Sequence, residues 1–286
     1  MNTKLLAIDL DGTLFDAQGR ISQANVDAVH RAQNAGVRVA LCTGRGLTES
    51  QSAINALGFT GTLVLANGAL IADAESGQTL ERATIEPHVM IDIIDTLNNG
   101  RDAVLILLDP AHAARDYLIV RADLLSKNTL WWFDYCNATF TPNDHPTEED
   151  LHHAVRAGIV GPADHMPPVQ QRIEQTFGPS VFCQHFMAVD ATEPGDQPTH
   201  VLEVFTAGVN KWTALKWLAE CHNIEPKNIA AIGDHINDID MITHAGKGIA
   251  MANAVPTILS AANHTTASNT ENGVAHAIDQ LLSGTW

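Results

Sequence analysis

A chain of 286 residues with 33 acidic against 16 basic side chains, a formal net charge of −17, has room for one large or two smaller domains. That charge argues against nucleic acid or an anionic membrane surface as the principal partner. The four cysteines, Cys42, Cys136, Cys183 and Cys221, form no C-x-x-C pair, no apolar run approaches transmembrane length, and Asp9 comes too early for a secretory signal, so a reduced, soluble cytoplasmic protein is expected.

The first element carries the strongest signal. The apolar run Leu5-Leu6-Ala7-Ile8 ends in Asp9-Leu10-Asp11-Gly12-Thr13. A short continuous apolar run reads as a strand buried on both faces, which belongs to a parallel sheet. Ligands of such sheets sit beyond the carboxyl ends of the strands, where Asp9 and Asp11 emerge. Residues i and i+2 of a strand point the same way, so both carboxylates can face one ligand. Two close carboxylates call for a cation between them, and an oxygen-rich site of this kind suits Mg²⁺ beside a phosphate. Taken alone, Asp-Leu-Asp-Gly is equally a polar turn closing a strand.

Ser22 can cap a helix carrying Val26, Val29 and Ala32, with Gly36 as its stop. Val37 to Leu41 is a second apolar strand, ending in Cys42-Thr43-Gly44-Arg45. A helix to about Leu57, a strand at Thr62 to Ala66 and an Asn67-Gly68 turn follow. Strand and helix alternate as in a doubly wound α/β domain. Thr43 and Gly44 offer a hydroxyl and an unobstructed N–H to an oxyanion, although a helix-capping turn uses the same residues.

From about Thr84 the texture changes. Strands are expected at Ala103–Leu108, Tyr117–Val120, Gly158–Val160 and Val181–Val189, and helices near His88–Leu97, Glu148–Arg156 and Val169–Phe177. This stretch reads as an α+β domain inserted into the first, with the Pro-, Gly- and acid-rich Ala191–Pro198 as its return linker. The core pattern then resumes with a strand at Val201 to Phe205 and a helix opened by Gly208-Val209-Asn210-Lys211. Lys211 falls in a first turn, where the helix dipole disfavours a cation, so it is either solvated or held there to meet an anion. A strand at Asn228 to Ile232 runs into Gly233-Asp234-His235-Ile236-Asn237-Asp238, again placing acids beyond a buried strand. Gly246–Ala250 and Asn272–Leu282 read as a last strand and a closing helix. The 14 histidines show no metal-ligand spacing such as H-E-x-x-H.

Taken together, D-L-D-G-T at 9–13, T-G-R at 43–45, N-G-A at 67–69, the lysine of G-V-N-K at 208–211 and G-D-x-x-N-D at 233–238 resemble the haloacid dehalogenase superfamily of phosphohydrolases, in its Cof-type sugar-phosphatase branch. The resemblance implies a doubly wound, Rossmann-like α/β core from residues 1–83 and 191–286, with an inserted cap over residues 84–190. It implies a phosphatase of a small phosphorylated metabolite, a sugar phosphate by branch. Asp9 would be the nucleophile and Asp11 the general acid and base. Mg²⁺ would be held by the carboxylates of Asp9 and Asp234 and the backbone carbonyl of Asp11. Leu10, Thr43, Gly44, Lys211 and Asn237 would bind the phosphate. Asp238 would support the metal through water or hold Lys211, and Arg45 would support the site from behind or face the cap. A sugar phosphomutase shares the nucleophile and the second acid, and a phosphoacceptor protein shares the phosphorylatable aspartate. The branch usually has glycine after the lysine; here Trp212 follows, either packed in the core or lining the entrance.

Overall fold

In the computed structural model, which describes residues 2–189 and 198–286, the first apolar run forms β1 (Leu5–Asp9), buried along its whole length. Ser22 caps α1 (Gln23–Asn34) by accepting the Asn25 N–H. β2 (Arg38–Cys42), α2 (Gln51–Leu57) and β3 (Thr62–Leu65) continue the alternation. β4 (Leu70–Asp73) then turns back antiparallel to β3, and β5 (Thr79–Arg82) closes that edge.

The chain continues through α3 (Pro87–Leu97), β6 (Val104–Leu108), β7 (Tyr117–Val120), α4 (Lys127–Cys136) and β8 (Phe140–Pro142). Next come β9 (Ala154–Gly161), α5 (Met166–Phe177), β10 (Val181–Val189) and β11 (Thr199–Thr206). The remainder is α6 (Lys211–Cys221), β12 (Ile229–Gly233), α7 (Ile239–His244), β13 (Lys247–Ala250), α8 (Pro256–Ala261), β14 (His264–Thr265) and α9 (Gly273–Ser283).

These elements form two units. The first takes Met1–Arg45, Ser50–Glu81 and Asn210–Trp286; the second takes Gly46–Glu49 and Arg82–Val209. The first unit holds a sheet of order β14-β13-β12-β1-β2-β3-β4-β5, parallel from β14 to β3. Strand order runs outward in both directions from β1 and β12, which makes their junction the topological switch point where ligands of such sheets bind. Register puts Asp9 opposite Cys42 and Ile8 opposite Ile232, so Thr43 and Asp234 leave the sheet one step beyond Asp9.

The second unit holds a sheet of order β10-β11-β9-β6-β7-β8, antiparallel except for β7 with β8. Its apolar core gathers Met90, Ile93 and Leu97 of α3 and Val169 and Ile173 of α5 against Ile106, Ile159, Leu202 and Val204.

The structure corrects the sequence reading in two places. The strand at Val201 to Phe205, expected in the core sheet, is part of β11 and pairs with β10 and β9 of the second sheet, so the chain re-enters the first unit at Asn210 and not at 191. An apolar strand looks the same in either sheet; the sign overlooked was Glu203, a buried acid in mid-strand. Of the Ala191–Pro198 linker, all but Pro198 lies outside the described residues. The helix expected near Glu148–Arg156 is a turn followed by β9. Its clustered acids imitate a helix first turn, but Thr147 and Asp150 bond each other across the turn. Among the described residues no helix is long and apolar enough to cross a membrane.

Candidate active site

β1 delivers Asp9 to the switch point with 4% of its surface exposed. Asn210 caps α6, and Lys211, the first residue of that helix, is wholly buried. Its Nζ donates to Asp9 Oδ1 and to Asp238 Oδ1, each at 2.6 Å. A lysine against the positive end of a helix is disfavoured; two carboxylates offset that cost here. The other Asp238 oxygen accepts the N–H groups of Asp234 at 2.9 Å and His235 at 3.1 Å, which ties the loop after β12 to the same ion pair.

Charge balance in this cluster is incomplete. Burial, reinforced by Asp238, holds the Asp9 carboxyl well above the usual carboxylate range. Burial and then Asp238 push Asp234 up to about 6. Burial works against the charge on Lys211, yet Asp238 and Asp9 together hold it above its ordinary value. Oxygens of Asp9, Asp234 and Asp238 lie within 4.8 Å of one another, with one lysine among three acids. Asp238 commits both oxygens to Lys211 and the backbone, so Asp9 and Asp234 are the better metal ligands. All-oxygen donors with uncompensated negative charge fit a hard divalent cation such as Mg²⁺.

The loop from Leu10 to Phe15 closes with a Phe15 N–H to Leu10 C=O bond of 2.8 Å. Gly12 adopts φ +77°, and a Cβ there would sit 2.3 Å from an Asp234 oxygen, so only glycine allows this close approach. Thr13 donates to Asp234 at 2.9 Å, and Asn253 donates to the Gly12 carbonyl at 2.8 Å. Asp11 is turned away from the acid cluster. Its half-exposed carboxylate is gripped by Arg45 through Nε at 2.8 Å and Nη2 at 2.5 Å, and that guanidinium lies 5.1 Å from the Phe15 ring centroid.

Thr43 is buried, and its Oγ1 accepts the Arg45 N–H at 3.1 Å, which directs the hydroxyl proton elsewhere. Its carbonyl accepts the Asn67 N–H at 2.9 Å, while Asn237 donates to the Asn67 side chain at 3.0 Å. Asp9, Asp11, Thr43, Gly44, Arg45, Lys211, Asp234, Asn237 and Asp238 thus all belong to the first unit. The bonds made by Thr13, Asn67 and Asn253 were not foreseen, although Thr13 lies in D-L-D-G-T and Asn67 in N-G-A. Trp212 stacks on His244 with centroids 5.5 Å apart, so it packs between α6 and α7.

The raised Asp234 carboxyl has a consequence for stability. The folded form binds a proton more tightly than an unfolded aspartate at about 3.9, so in metal-free protein this stabilisation is complete below that value and is lost as pH rises through about 6. Metal-free protein is therefore expected to lose Tm across that window relative to Asp234→Asn, and Mg²⁺ to restore it near neutrality. Parallel pH profiles for the two proteins, measured by calorimetry in EDTA, would contradict this.

Known proteins match along almost the whole chain. The family model of haloacid dehalogenase-like hydrolases matches residues 6–278. The 5-amino-6-(5-phospho-D-ribitylamino)uracil phosphatase YwtE of Bacillus subtilis is 30% identical, over 98% of this chain and 99% of that protein. The HMP-PP phosphatase of Cronobacter sakazakii is also 30% identical, over 91% of this chain and 88% of its own. A haloacid dehalogenase-like hydrolase from Bacteroides thetaiotaomicron superposes with TM-score 0.80 at 25% identity, covering 98% of this chain and 99% of that one.

Proposed function

The chain belongs to the haloacid dehalogenase-like hydrolase family and is a phosphatase of phosphorylated small molecules; from that premise we propose that it hydrolyses a sugar phosphate with Mg²⁺ through an aspartyl-phosphate on Asp9. The observation that carries this reading is the buried Asp9–Lys211–Asp238 ion pair at the switch point. A carboxylate aligned by a buried ammonium is a poised nucleophile, and the same ammonium can balance an incoming phosphate. For the substrate class, the support is the relative named for a phosphate on a ribityl chain.

In this mechanism an Asp9 oxygen attacks phosphorus, and the bond to the leaving oxygen breaks as the Asp9–phosphorus bond forms. Asp11 gives its proton to the leaving oxygen, then takes one from the water that attacks the aspartyl-phosphate and frees Asp9. Asp11 must leave Arg45 and take up a proton from solvent to do so, and it returns that proton to solvent before its carboxylate is gripped by Arg45 again. The Thr43 hydroxyl and the N–H groups of Gly44 and Leu10 bind the phosphoryl oxygens, Lys211 balances their charge, Asn237 orients them and Asp238 holds Lys211. When bound by the Asp9 and Asp234 carboxylates and the Asp11 carbonyl, Mg²⁺ neutralises phosphate charge.

Hydrolysis of p-nitrophenyl phosphate that requires Mg²⁺ and stops in EDTA is the expected result, with free phosphate as product; transfer to a second sugar in place of phosphate release would contradict it. Asp11→Asn refines the test. As a general acid and base Asp11 should contribute about 10²–10⁴-fold, and the first step should suffer most with an alkyl phosphate, whose alkoxide leaves badly. With p-nitrophenyl phosphate, phosphorylation should suffer less while the second step stays slow. Equal loss on both substrates in single-turnover phosphorylation would remove Asp11 from the acid role.

A further inference from the structure

Four residues interrupt the division of the chain into two units. Thr43, Gly44 and Arg45 belong to the first, Gly46–Glu49 to the second, and Ser50 to the first again. The cause is chemical. Glu49 is 5% exposed, and its carboxylate accepts the Gly46 N–H at 2.6 Å, the Tyr117 hydroxyl at 2.8 Å and the Trp132 indole N–H at 2.9 Å. The Tyr117 oxygen in turn accepts from Arg156 at 3.0 Å, which leaves its own proton to Glu49. Arg156 also pairs with Glu203, which accepts from Gln184 at 3.0 Å. One residue earlier Thr48 donates to Asp116, whose carboxylate receives the N–H and hydroxyl of Thr139. Gly46 leaves little room for a side chain: a Cβ would lie 3.1 Å from Leu107 and 3.3 Å from Glu49.

A buried polar network is costly unless every member is paired, and the apolar core of the second unit lies among other residues, on α3, α5 and the strands they cover. What the network does hold is a short piece of chain. Arg45 is fixed in the first unit by the Ala66 N–H on its carbonyl at 2.9 Å and by Asp11; Thr48 is fixed in the second. The peptide group between Arg45 and Gly46 is therefore held on both sides, its carbonyl by the Ala66 N–H at 2.9 Å and its own N–H by the Glu49 carboxylate at 2.6 Å, so loss of the Glu49 acceptor releases one side of the peptide that ends the Thr43-Gly44-Arg45 loop.

We propose that Glu49 is a positioning residue for the phosphate-binding loop Thr43-Gly44-Arg45, acting through the Gly46 N–H and held by Tyr117 and Trp132. The proposal rests on the assignment of that loop to phosphate above.

The probe is inorganic phosphate, titrated calorimetrically with Mg²⁺ in the buffer. Glu49→Gln removes the charge but keeps an acceptor oxygen, and Tyr117→Phe removes only the hydroxyl. Each is expected to weaken phosphate binding about five- to twentyfold, the size of a lost charge-assisted hydrogen bond, and the double variant to be no weaker than the worse single one. Ile159→Val thins the second unit's core outside the network and is expected to bind phosphate as the parent does. Unchanged binding in both single variants overturns the proposal, as does an equal loss in Ile159→Val or additive losses in the double variant. Phosphate is bound here without turnover, so failure of this test is distinct from retained activity in Asp9→Asn, which strikes at the reaction itself.

Discussion

Asp9→Asn is expected to reduce phosphate release by about 10⁴-fold or more, the scale on which loss of a covalent nucleophile is felt. Asparagine has nearly the same shape and can still accept a hydrogen bond from Lys211, which lies 2.6 Å from the native carboxylate. The fold should therefore survive, and an unchanged far-ultraviolet spectrum with retained Tm would show it. Stability is even expected to hold or rise in metal-free protein near neutrality, because Asp9 is held well above its usual range by burial and by Asp238. A carboxyl whose folded pKa is raised stabilises the fold at low pH and loses that contribution as pH climbs; the amide has no such loss. Near-parental phosphate release from this variant would exclude Asp9 as the nucleophile.

Lys211→Met is expected to combine the largest loss of stability with a loss of phosphate binding. The side chain is completely buried and bonded to two carboxylates, and methionine keeps most of its volume without its charge. Removing one partner of a buried pair typically costs about 3–5 kcal/mol, because the charge left behind is uncompensated. Here two acids are left behind, facing each other. Asp9, already held well above the usual carboxylate range by burial, would lose the ammonium that lowers it, so the loss should be smaller at about pH 5 than at about pH 8. Urea denaturation at both pH values measures this, and phosphate titration measures the loss of the counter-charge. Unchanged stability together with unchanged phosphate affinity would mean that the ammonium does not hold the two acids.

The part of the molecule legible in the sequence is the part written in local pattern. β1 as far as Ile8, β2 from Val39 onward and β12 are continuous apolar runs, and Asp9, Thr43 and Asp234 come next after them, so the sheet rule for ligand placement reaches them without coordinates. Lys211 was ambiguous until its surroundings were known, because a first-turn lysine looks the same solvated or buried. The bidentate hold of Arg45 on Asp11 spans 34 residues and the hydrogen bond from Asn237 to Asn67 spans 170, and no periodicity records either. Glu49 shows the limit most plainly. In sequence it is an ordinary acid before α2; the donors to its carboxylate include Gly46 of the adjacent loop, Tyr117 of β7 and Trp132 of α4. The second unit was harder for a related reason. β11 carries an apolar run that either sheet would accept, and strand pairing, which the run does not encode, decided between them.

Rapid acid quench measures directly whether a phosphoryl group passes through Asp9, the step on which every other assigned role depends. With ³²P-labelled substrate and Asp11→Asn enzyme, whose second step is expected to be slow, protein-bound label should appear within the first turnover, map to the peptide carrying Asp9 and be absent from the Asp9→Asn variant. Free phosphate that appears with no protein-bound label at any time, or label on a residue other than Asp9, would contradict it.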